Sequence, residues 1–350
     1  MVTVGIDPHK KTHTAVIVEE SGRQLGRALT IKNTPDAVAK LTGWLAKHAA
    51  GRAARFAIED GRGLARELAT ALVIAGYPVV WVPVRLVLAG RRHGGQRGKS
   101  DPIDALACAR ATLNPDDARY LAAHRADEIG RDLRYLVDDR RTKITQRTSL
   151  INTLRWRLHE LDPTVTVGSL TSLKGPRELA TALDAGPHSV LREILIRCCQ
   201  DLVRLTGQIN QLERHITAAV SRICPTLLER PGVGPIVAAT VIAELGDPTR
   251  VRTSAAFARL AGVAPIPVST ANTDHHRLDR GGNRRLNHSL HIVALTQARS
   301  HPAAQRLITK HQHKKGRKHG LRVLKRHLAD AIYHDLITDL TPMTSQLTAA

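Results

Sequence analysis

Four acidic residues in the first third of the chain stand where a metal-binding site would need carboxylates. Asp7 and Glu59 each end a short apolar run, VTVGID and FAIE. Asp101 and Asp104 lie three residues apart where a helix is predicted to begin, so they share one helix face. A carboxylate at the end of a strand is held rigidly and points away from the sheet. The pattern therefore predicts four carboxylates that together could bind a cation.

The chemistry of such a cluster depends on its ligand atoms. Carboxylate oxygens favour Mg²⁺, and also Mn²⁺, over softer metals. Two such ions about 4 Å apart can stabilise both the attacking and the leaving oxygen of a phosphodiester. Asp101 and Asp104 alone have a simpler explanation, because acids near a helix start, here behind Ser100 as the N-cap, interact favourably with the helix dipole. That explanation does not cover Asp7 and Glu59, so we expect all four acids to bind Mg²⁺.

The residues around these acids predict an α/β domain. Up to about residue 115, runs rich in β-branched residues alternate with runs that have the apolar spacing of a helix. The order is three strands, a helix, a strand, a helix, a strand and a helix, which is the order of an RNase H-like domain. In that order the strands that end at Asp7 and Glu59 are neighbours. A basic, glycine-rich loop is predicted from residue 91 to residue 99, before the helix that carries Asp101 and Asp104.

The charge of the chain indicates a polyanionic partner. Its 350 residues include 52 Lys and Arg against 31 Asp and Glu, a formal net charge of +21. Nucleic acid fits this charge better than a membrane, since no stretch of about 18 apolar residues is free of charge. The four cysteines lack the paired spacing of a zinc site, which favours buried thiols and a cytoplasmic location.

Beyond residue 120 the sequence becomes mostly helical. From Leu191 to Ile216 apolar residues recur every three or four positions, the spacing of a coiled coil. With the helix before it, this segment could form an antiparallel hairpin, a dimer stalk or ordinary packing within one chain. The sequence PGVGP at residues 231–235 predicts a helix-hairpin-helix turn whose glycine N–H groups can bind phosphate, although a plain helical connection is the alternative. We therefore expect a catalytic domain in 1–120, a helical coiled-coil linker in 121–220, a mostly helical C-terminal domain in 221–340 and a tail in 341–350.

Taken together, these motifs resemble one known family. Residues 5–10 (GIDPHK), 58–59 (IE) and 99–105 (KSDPIDA) are similar to the acidic motifs of the DEDD insertion-sequence transposases. This family is also called the insertion-sequence-110 group and includes Piv-like DNA invertases. Three further motifs agree in order, namely residues 231–235 (PGVGP), 260–265 (LAGVAP) and 280–287 (RGGNRRLN).

The resemblance implies an architecture and partners. It implies a RuvC-like nuclease domain that binds Mg²⁺, a coiled-coil linker and a smaller transposase domain. It also implies a homo-oligomer on DNA, a dimer or a tetramer. In part of the family a structured guide RNA encoded by the element directs the reaction, and such an RNA is therefore a candidate partner here.

The resemblance further implies a nucleophilic serine shortly after the Ala-Pro motif, usually followed by glycine. A serine can attack a phosphodiester and hold the broken strand as a phosphoserine for rejoining. In this chain that position falls on Thr270, the glycine is replaced by Ala271, and Ser269 lies one residue earlier. Three alternatives stay open: Ser269 is the nucleophile after a shift of one residue, Thr270 is the nucleophile, or the copy is impaired. We favour Ser269 over Thr270, whereas without the family both would be assigned to an exposed polar loop.

Basic residues near these motifs are candidate contacts to nucleic-acid phosphates. Charge runs are usually solvated, but the net charge and the metal chemistry favour nucleic acid here. Such contacts position a substrate without selecting its sequence. The candidates are Arg91, Arg92, Arg97 and Lys99 before the acidic helix, Gly232 and Gly234 in the turn, Arg280, Asn283 and Arg284, and Lys314, Lys315, Arg317 and Lys318 in a stretch without acids.

Two other functions would use the same residues. A RuvC-like endonuclease would cut branched DNA with a metal-bound water, and it would need the four acids but no serine. A non-catalytic nucleic-acid-binding relic would keep the charge without the chemistry. The acids favour an enzyme, whereas the missing Ser-Gly pair favours a relic. The motifs as a set predict an Mg²⁺-dependent DNA transposase or recombinase.

Overall fold

The protein, seen in a computed structural model, divides into two compact units, Met1–Glu128 and Ile129–Ala350. The finer division of the second unit into a linker and a C-terminal domain stays a prediction. The structure describes residues 1–49, 51–59, 63–93, 98, 100–113, 122–123, 130–246, 251, 253–270, 273–279 and 281–347. In this part of the chain every helix is too short or too polar to span a lipid bilayer.

The first unit is an α/β domain built on a six-stranded sheet. Its strands are β1 (Val2–Pro8), β2 (Thr12–Glu19), β3 (Gln24–Lys32), β4 (Ala54–Glu59), β5 (Val79–Val82) and β6 (Ala122–Ala123). Its helices are α1 (Ala37–His48), α2 (Arg66–Ile74), α3 (Val84–His93) and α4 (Asp101–Ala111). The strand order is β3-β2-β1-β4-β5-β6. The first three strands pair antiparallel, whereas β4 lies parallel to β1 and β5 parallel to β4. The RNase H-like, RuvC-like arrangement predicted from the sequence is thereby confirmed.

Two elements of this unit, helix α3 and the short strand β6, were not predicted from the sequence. The loop expected from residue 91 to residue 99 begins later, because residues 91–93 are the last turn of α3. Val87 of this helix is fully buried and belongs to the same apolar cluster as Ala107 and Cys108 of α4. Burial of that face stabilises a helix whose basic end has the composition of a loop. Of the predicted loop residues, Arg97 and Lys99 lie outside the described residues.

Both faces of the central strand β1 are covered by helices. Val4 and Ile6 point to one face and belong to a buried cluster with Leu41 of α1 and Leu72 of α2. Successive side chains of a strand point to opposite faces, so Gly5 points to the other face, where α4 packs. Helix α4 therefore lies directly against the strand that carries Asp7.

The second unit is mostly helical, as predicted. Its elements are α5 (Arg131–Leu161), α6 (Lys174–Asp184), α7 (Val190–Ile223), α8 (Pro225–Glu229), α9 (Pro235–Leu245), α10 (Ser254–Leu260), β7 (Pro265–Thr270), β8 (Thr273–Leu278), α11 (Arg284–Ser300), α12 (Pro302–Lys315) and α13 (Arg317–Leu347). Strands β7 and β8 pair antiparallel as a hairpin. The sequence did not predict this hairpin.

The coiled-coil spacing of α7 serves packing within one chain. Leu195, Cys198 and Leu202 are buried with Leu158 near the end of α5, whereas Ile216 is buried with Leu133 near its start. The two helices therefore run antiparallel. The antiparallel hairpin is thus observed, as packing within one chain, and the dimer stalk stays a prediction.

The predicted glycine turn joins α8 to α9. Gly232 has φ +80°, a left-handed conformation that favours glycine, and a Cβ there would meet Thr296 at 3.3 Å. Gly234 is the N-cap of α9, and Pro235 follows as its first residue. Two helices joined by a glycine turn are thus present, which fits both the helix-hairpin-helix prediction and a plain helical connection, and the phosphate contact stays a prediction.

Candidate metal centre

The sheet brings Asp7 and Glu59 to the same edge. Strands β1 and β4 are parallel, with Ile6 of β1 paired to Ile58 of β4. Asp7 and Glu59 each follow their member of this pair by one residue, so both carboxylates belong to the carboxyl ends of adjacent strands. The predicted adjacency of these two acids is therefore present in the fold.

The start of helix α4 supplies the other two acids. Asp101 is its first residue, behind Ser100 with extended backbone angles, and Pro102 is its second. Asp104 is only 4% exposed, and Asp7 only 6%. Asp101 is half exposed, with 50% of its side chain accessible. The cluster therefore has a buried side at Asp7 and Asp104 and an open side at Asp101.

Gly5 allows α4 to approach this closely. A Cβ at Gly5 would lie 2.6 Å from the Ala109 nitrogen and 2.8 Å from the Ala109 Cβ. Such contacts require the helix backbone to shift. The absence of a side chain at Gly5 thus lets the start of α4, with Asp101 and Asp104, lie close to Asp7.

We expect Gly5→Ala to lower the free energy of unfolding by about 3 kcal/mol and to weaken divalent metal binding, because the added methyl displaces α4. Thermal melting with and without Mg²⁺ measures both effects. Gly43→Ala is the matched control, since a Cβ there meets nothing within 4 Å. Gly43 lies in α1 and is exposed, so its replacement should stabilise the protein by about 0.5–1 kcal/mol. Equal melting temperatures for Gly5→Ala and wild type would contradict the proposed role of Gly5.

The three other acids of the cluster all act on the carboxyl group of Asp7. The pKa of Asp7 is raised from 3.8 to about 6, first by burial, and the negative charges of Glu59, Asp104 and Asp101 raise it further. His9 opposes this rise in pKa. Since Coulomb interactions fall with distance, the four carboxyl groups form one cluster. A cluster of like charges of this kind favours a bound cation.

His9 belongs to the cluster and was not predicted from the sequence as part of it. Its Nδ1 lies 3.7 Å from Asp7 Oδ2, and its Nε2 lies 3.5 Å from Asp101 Oδ1. One ligand atom from each of Asp7, His9 and Asp101 lies within 4.8 Å of the others. The signal was present in the motif GIDPHK, where His9 is two positions beyond Asp7 on the same strand end.

Asp104 is paired with Arg91, which was predicted from the sequence to contact nucleic-acid phosphates. The Arg91 guanidinium at the end of α3 forms an ion pair with Asp104 Oδ1. The arginine side chain is 21% exposed and that of Asp104 is 6% exposed. Arg91 therefore compensates part of the negative charge of the cluster, and any contact it makes to nucleic acid stays a prediction.

We expect Arg91→Met to lower the free energy of unfolding of the metal-free protein by about 3 kcal/mol, because it leaves the buried Asp104 carboxylate without this counter-charge. Mg²⁺ should restore part of that loss, so the metal-induced rise in melting temperature should exceed that of wild type. Lys40→Met is the control, because the Lys40–Asp36 pair is exposed and contributes little. A variant that is as stable as wild type without metal would contradict this account.

The atoms of the cluster fit a hard divalent cation. Asp7 Oδ2 is buried and has no hydrogen-bond partner within the part of the chain that the structure describes. Leaving a buried carboxylate oxygen without a hydrogen bond is costly, and a metal ion at this point would compensate the cost. The carboxylate oxygens suit Mg²⁺, and the additional nitrogen of His9 makes Mn²⁺ acceptable.

The candidate hydroxyls lie in the second unit. Ser269 and Thr270 are the last two residues of β7, where Ser269 pairs with Asp274 and Thr270 with Thr273. The polar loop that would be assumed without the family is therefore the end of a strand. The side chains of Ser269 and Thr270 lie outside the described residues.

The remaining basic candidates have different environments. Arg284, Arg317 and Lys318 are exposed on α11 and α13. Arg280 and the side chains of Arg92, Lys314 and Lys315 lie outside the described residues. Asn283 caps α11, since its Oδ1 accepts hydrogen bonds from the backbone N–H groups of Arg285 and Leu286 at 2.9 and 3.1 Å. The first function of Asn283 is thus structural, and its contact to nucleic acid stays a prediction.

Two family models match this chain along most of its length. One, for DEDD transposases of the IS110 group and described as Transposase, matches residues 4–163. The other, described as Transposase IS116/IS110/IS902 family, matches residues 224–309. The chain belongs to the IS110 family of DEDD transposases. The resemblance stated from the motifs is therefore confirmed for this transposase.

Curated relatives agree with the assignment of this transposase. It is 25% identical over 353 residues to the "Insertion element IS900 uncharacterized 42 kDa protein" of Mycobacterium paratuberculosis, covering 87% of each chain. It is 28% identical over 347 residues to the "Insertion element IS116 uncharacterized 44.8 kDa protein" of Streptomyces clavuligerus, covering 84% of each. A "Probable family 20 transposase" of Pseudomonas aeruginosa is 31% identical over 192 residues, covering 54% of this chain and 53% of the relative.

A solved structure of RuvC from T. thermophilus in complex with Holliday junction substrate also matches the transposase. The identity is 19% and the TM-score 0.27, over 35% of this chain and 99% of RuvC. The assignment of the fold depends on the strand order and directions of the first unit, which the chain itself provides.

Proposed function

We propose that this transposase cuts and rejoins DNA strands at a divalent metal centre formed by Asp7, Glu59, Asp101 and Asp104. Mg²⁺ is the expected ion, and Mn²⁺ is the alternative. The observation that supports this proposal most strongly is the buried Asp7 Oδ2, which has no hydrogen-bond partner among the described residues and lies in one cluster with the other three acids. An acid cluster of this kind, at the edge of an RNase H-like sheet in a transposase, is suited to phosphodiester chemistry.

The four acids would hold the metal ion from different positions in the fold. A bound Mg²⁺ would polarise the scissile phosphate and stabilise its leaving oxygen. Asp7 and Glu59 would hold their carboxylates rigidly, because the paired strands β1 and β4 position their backbones. Asp104 would exchange its ion pair with Arg91 for a metal contact. Asp101, which is half exposed, would face the substrate side of the cluster.

A hydroxyl at Ser269, or alternatively at Thr270, would attack the phosphate. The hydroxyl would give up its proton as its oxygen forms a bond to phosphorus, the bond from phosphorus to one sugar oxygen would break, and that sugar oxygen would take up a proton in exchange. The covalent phosphoester conserves the energy of the broken bond, so a second strand end can reverse the step and be joined. The acids and the hydroxyl would thus be two parts of one reaction.

Partners and assembly follow from the family and the charge. DNA is the proposed substrate, and a structured guide RNA is a proposed partner that would supply sequence selection. The formal net charge of +21 suits both polyanions. A homo-oligomer, dimer or tetramer, is proposed as the active assembly, with a catalytic domain, a helical linker and a C-terminal transposase domain in each copy.

The test is a strand-cutting assay with a supercoiled plasmid that carries the DNA flanking the coding region. We expect nicking with Mg²⁺ and none with EDTA, together with a covalent adduct between protein and DNA. Asp101→Asn should abolish both, and Asp139→Asn, an exposed acid on α5, should change neither. Metal-dependent nicking without any adduct would instead favour the RuvC-like endonuclease. Nucleic-acid binding without metal-dependent cutting would favour the non-catalytic relic.

A further inference from the structure

The C-terminal part of the second unit contains a long segment without acids. No Asp or Glu occurs between Asp279 and Asp330, although Lys, Arg and His are frequent there. Helices α11 and α12 and the first half of α13 lie in this segment. Their cations therefore have no counter-charge on their own helices, apart from what α13 provides from Asp330 onwards.

Two of these helices bring four basic residues together. His288 and His291 lie three residues apart on α11, and Arg322 and Lys325 lie three residues apart on α13, so each pair shares one helix face. The helices contact each other there, since Lys325 Nζ donates a hydrogen bond to Asn287 Oδ1 of α11 at 2.6 Å. We call these four residues the α11–α13 basic cluster.

The members of the cluster repel each other at this distance. The pKa of Lys325 is lowered by burial and by the charge of Arg322. The pKa of His291 is lowered by burial, by the charge of Lys325 and by that of His288. Mutual repulsion of this kind is unfavourable in the free protein, and an anion bound between these groups would relieve it.

The acids that contact these helices form ion pairs with other basic residues. Asp138 and Glu244 both accept from Arg285, and Asp330 pairs with Arg326. Among the described residues, no carboxylate pairs with a member of the α11–α13 basic cluster. An ammonium has three N–H donors, so Lys325 keeps two beyond its bond to Asn287.

We propose that the α11–α13 basic cluster binds a phosphodiester group of a nucleic-acid backbone. The proposal rests on the proposed function, because it assumes that the partner is DNA or RNA. Arg322 and His288 are exposed, and Lys325 and His291 are half-buried, so the cluster combines reachable donors with a desolvated, anchored cation. Charge-assisted hydrogen bonds to phosphate are strongest in such surroundings.

The cluster is also connected to the hairpin that carries the candidate hydroxyls. Asn287, which accepts from Lys325, donates from Nδ2 to the carbonyl oxygens of Ala261 and Gly262 at 2.9 and 3.1 Å. These residues form the turn between α10 and β7. A phosphate bound by Lys325 would therefore be fixed with respect to the turn that leads into Ser269 and Thr270.

The test measures binding of fluorescent duplex DNA and of a hairpin RNA of equal length to the full chain, in EDTA, over a range of salt concentrations. We expect Arg322→Gln and Lys325→Gln each to weaken binding about tenfold. Each should also reduce the slope of log affinity against log salt by about 0.7–0.9, the loss of one phosphate contact. Lys325→Arg, which keeps the charge, should retain the slope. A slope that falls with duplex DNA identifies the ligand as DNA, and a slope that falls with hairpin RNA identifies it as RNA.

Arg299→Gln is the matched control, because Arg299 is also exposed on α11 and lies outside the cluster. Affinity and slope equal to those of this control for Arg322→Gln, with both nucleic acids, would overturn the proposal. The Arg322→Gln variant tests the proposal even if Lys325→Gln fails to fold, because the Arg322 side chain is exposed and its replacement should not affect folding. EDTA prevents metal chemistry, so binding is measured independently of cutting. If binding depends on the cluster but the protein does not cut DNA with Mg²⁺, the result supports the cluster and contradicts the proposed function.

Discussion

Asp7→Asn is expected to abolish metal-dependent strand cutting while stabilising the metal-free protein. Loss of a ligand carboxylate should reduce the rate of cutting by about 10³-fold or more. The same change removes a buried charge whose ionisation opposes folding, since burial and three other acids raise the pKa of Asp7 to about 6. At pH 7 the variant should be more stable than wild type by up to about 3 kcal/mol, the equivalent of the shift from 3.8.

The direction of this effect depends on pH. Below about pH 4 the Asp7 carboxyl is protonated in both the folded and the unfolded protein, so variant and wild type should be equally stable. Between pH 4 and pH 6 the folded protein binds more protons at Asp7, and the stability of wild type falls as pH rises. Since protons compete with metal for this carboxylate, Mg²⁺ binding to wild type should weaken as pH falls below about 6.

Denaturant unfolding at pH 4 and pH 7 in EDTA, with calorimetric titration of Mg²⁺ at pH 7, measures these effects. Asp139→Asn is the control, because its carboxylate is exposed and should affect neither stability nor metal binding. An Asp7→Asn variant that is less stable than wild type at pH 7 and still binds Mg²⁺ would contradict the account of the cluster.

Ser269→Ala is expected to abolish the covalent adduct between protein and DNA, and Thr270→Ala to leave it. A missing nucleophile should reduce adduct formation by about 10³-fold or more, because the bond to phosphorus is made by its oxygen. Both residues are the last two of β7, so neither substitution falls within a helix.

Denaturing gel electrophoresis of labelled DNA after reaction with Mg²⁺, followed by mass spectrometry of the attached peptide, identifies the residue. Ser269→Thr is the matched variant, because it retains a hydroxyl and should retain part of the activity. The reverse result, with the adduct lost only in Thr270→Ala, would assign the reaction to Thr270. If wild type forms no adduct, the proposal that a protein hydroxyl attacks the phosphate is wrong.

Much of the fold was predictable because the spacing of apolar residues and the order of strands and helices allow few arrangements. Continuous apolar runs such as that from Val2 to Asp7 indicate strands buried on both faces, which β1 is. Helix α3 was missed, because its last residues are basic and resemble a loop, whereas the packing of its Val87 against α4 stabilises it. The β7–β8 hairpin was missed because Pro265 and Pro267 are unusual in a strand and its residues lack alternation.

The candidate site was predictable where acids stand at the ends of elements. Asp7, Glu59, Asp101 and Asp104 could be grouped because parallel strands end at one edge and a helix presents residues three apart on one face. His9 and Arg91 could not be assigned in this way. Whether a histidine faces two carboxylates, or an arginine pairs with a buried acid, depends on how the turn after β1 and the end of α3 pack.

The central claim is that the acid cluster holds the metal ion that acts on the scissile phosphate. The most direct measurement is metal rescue with DNA in which one non-bridging oxygen of the mapped scissile phosphate is replaced by sulfur. We predict that this substrate is cut at least about 100-fold more slowly with Mg²⁺ and that Mn²⁺, which accepts sulfur better, restores most of the rate. Equal inhibition by sulfur with both ions, or none with either, would contradict a metal contact to that phosphate.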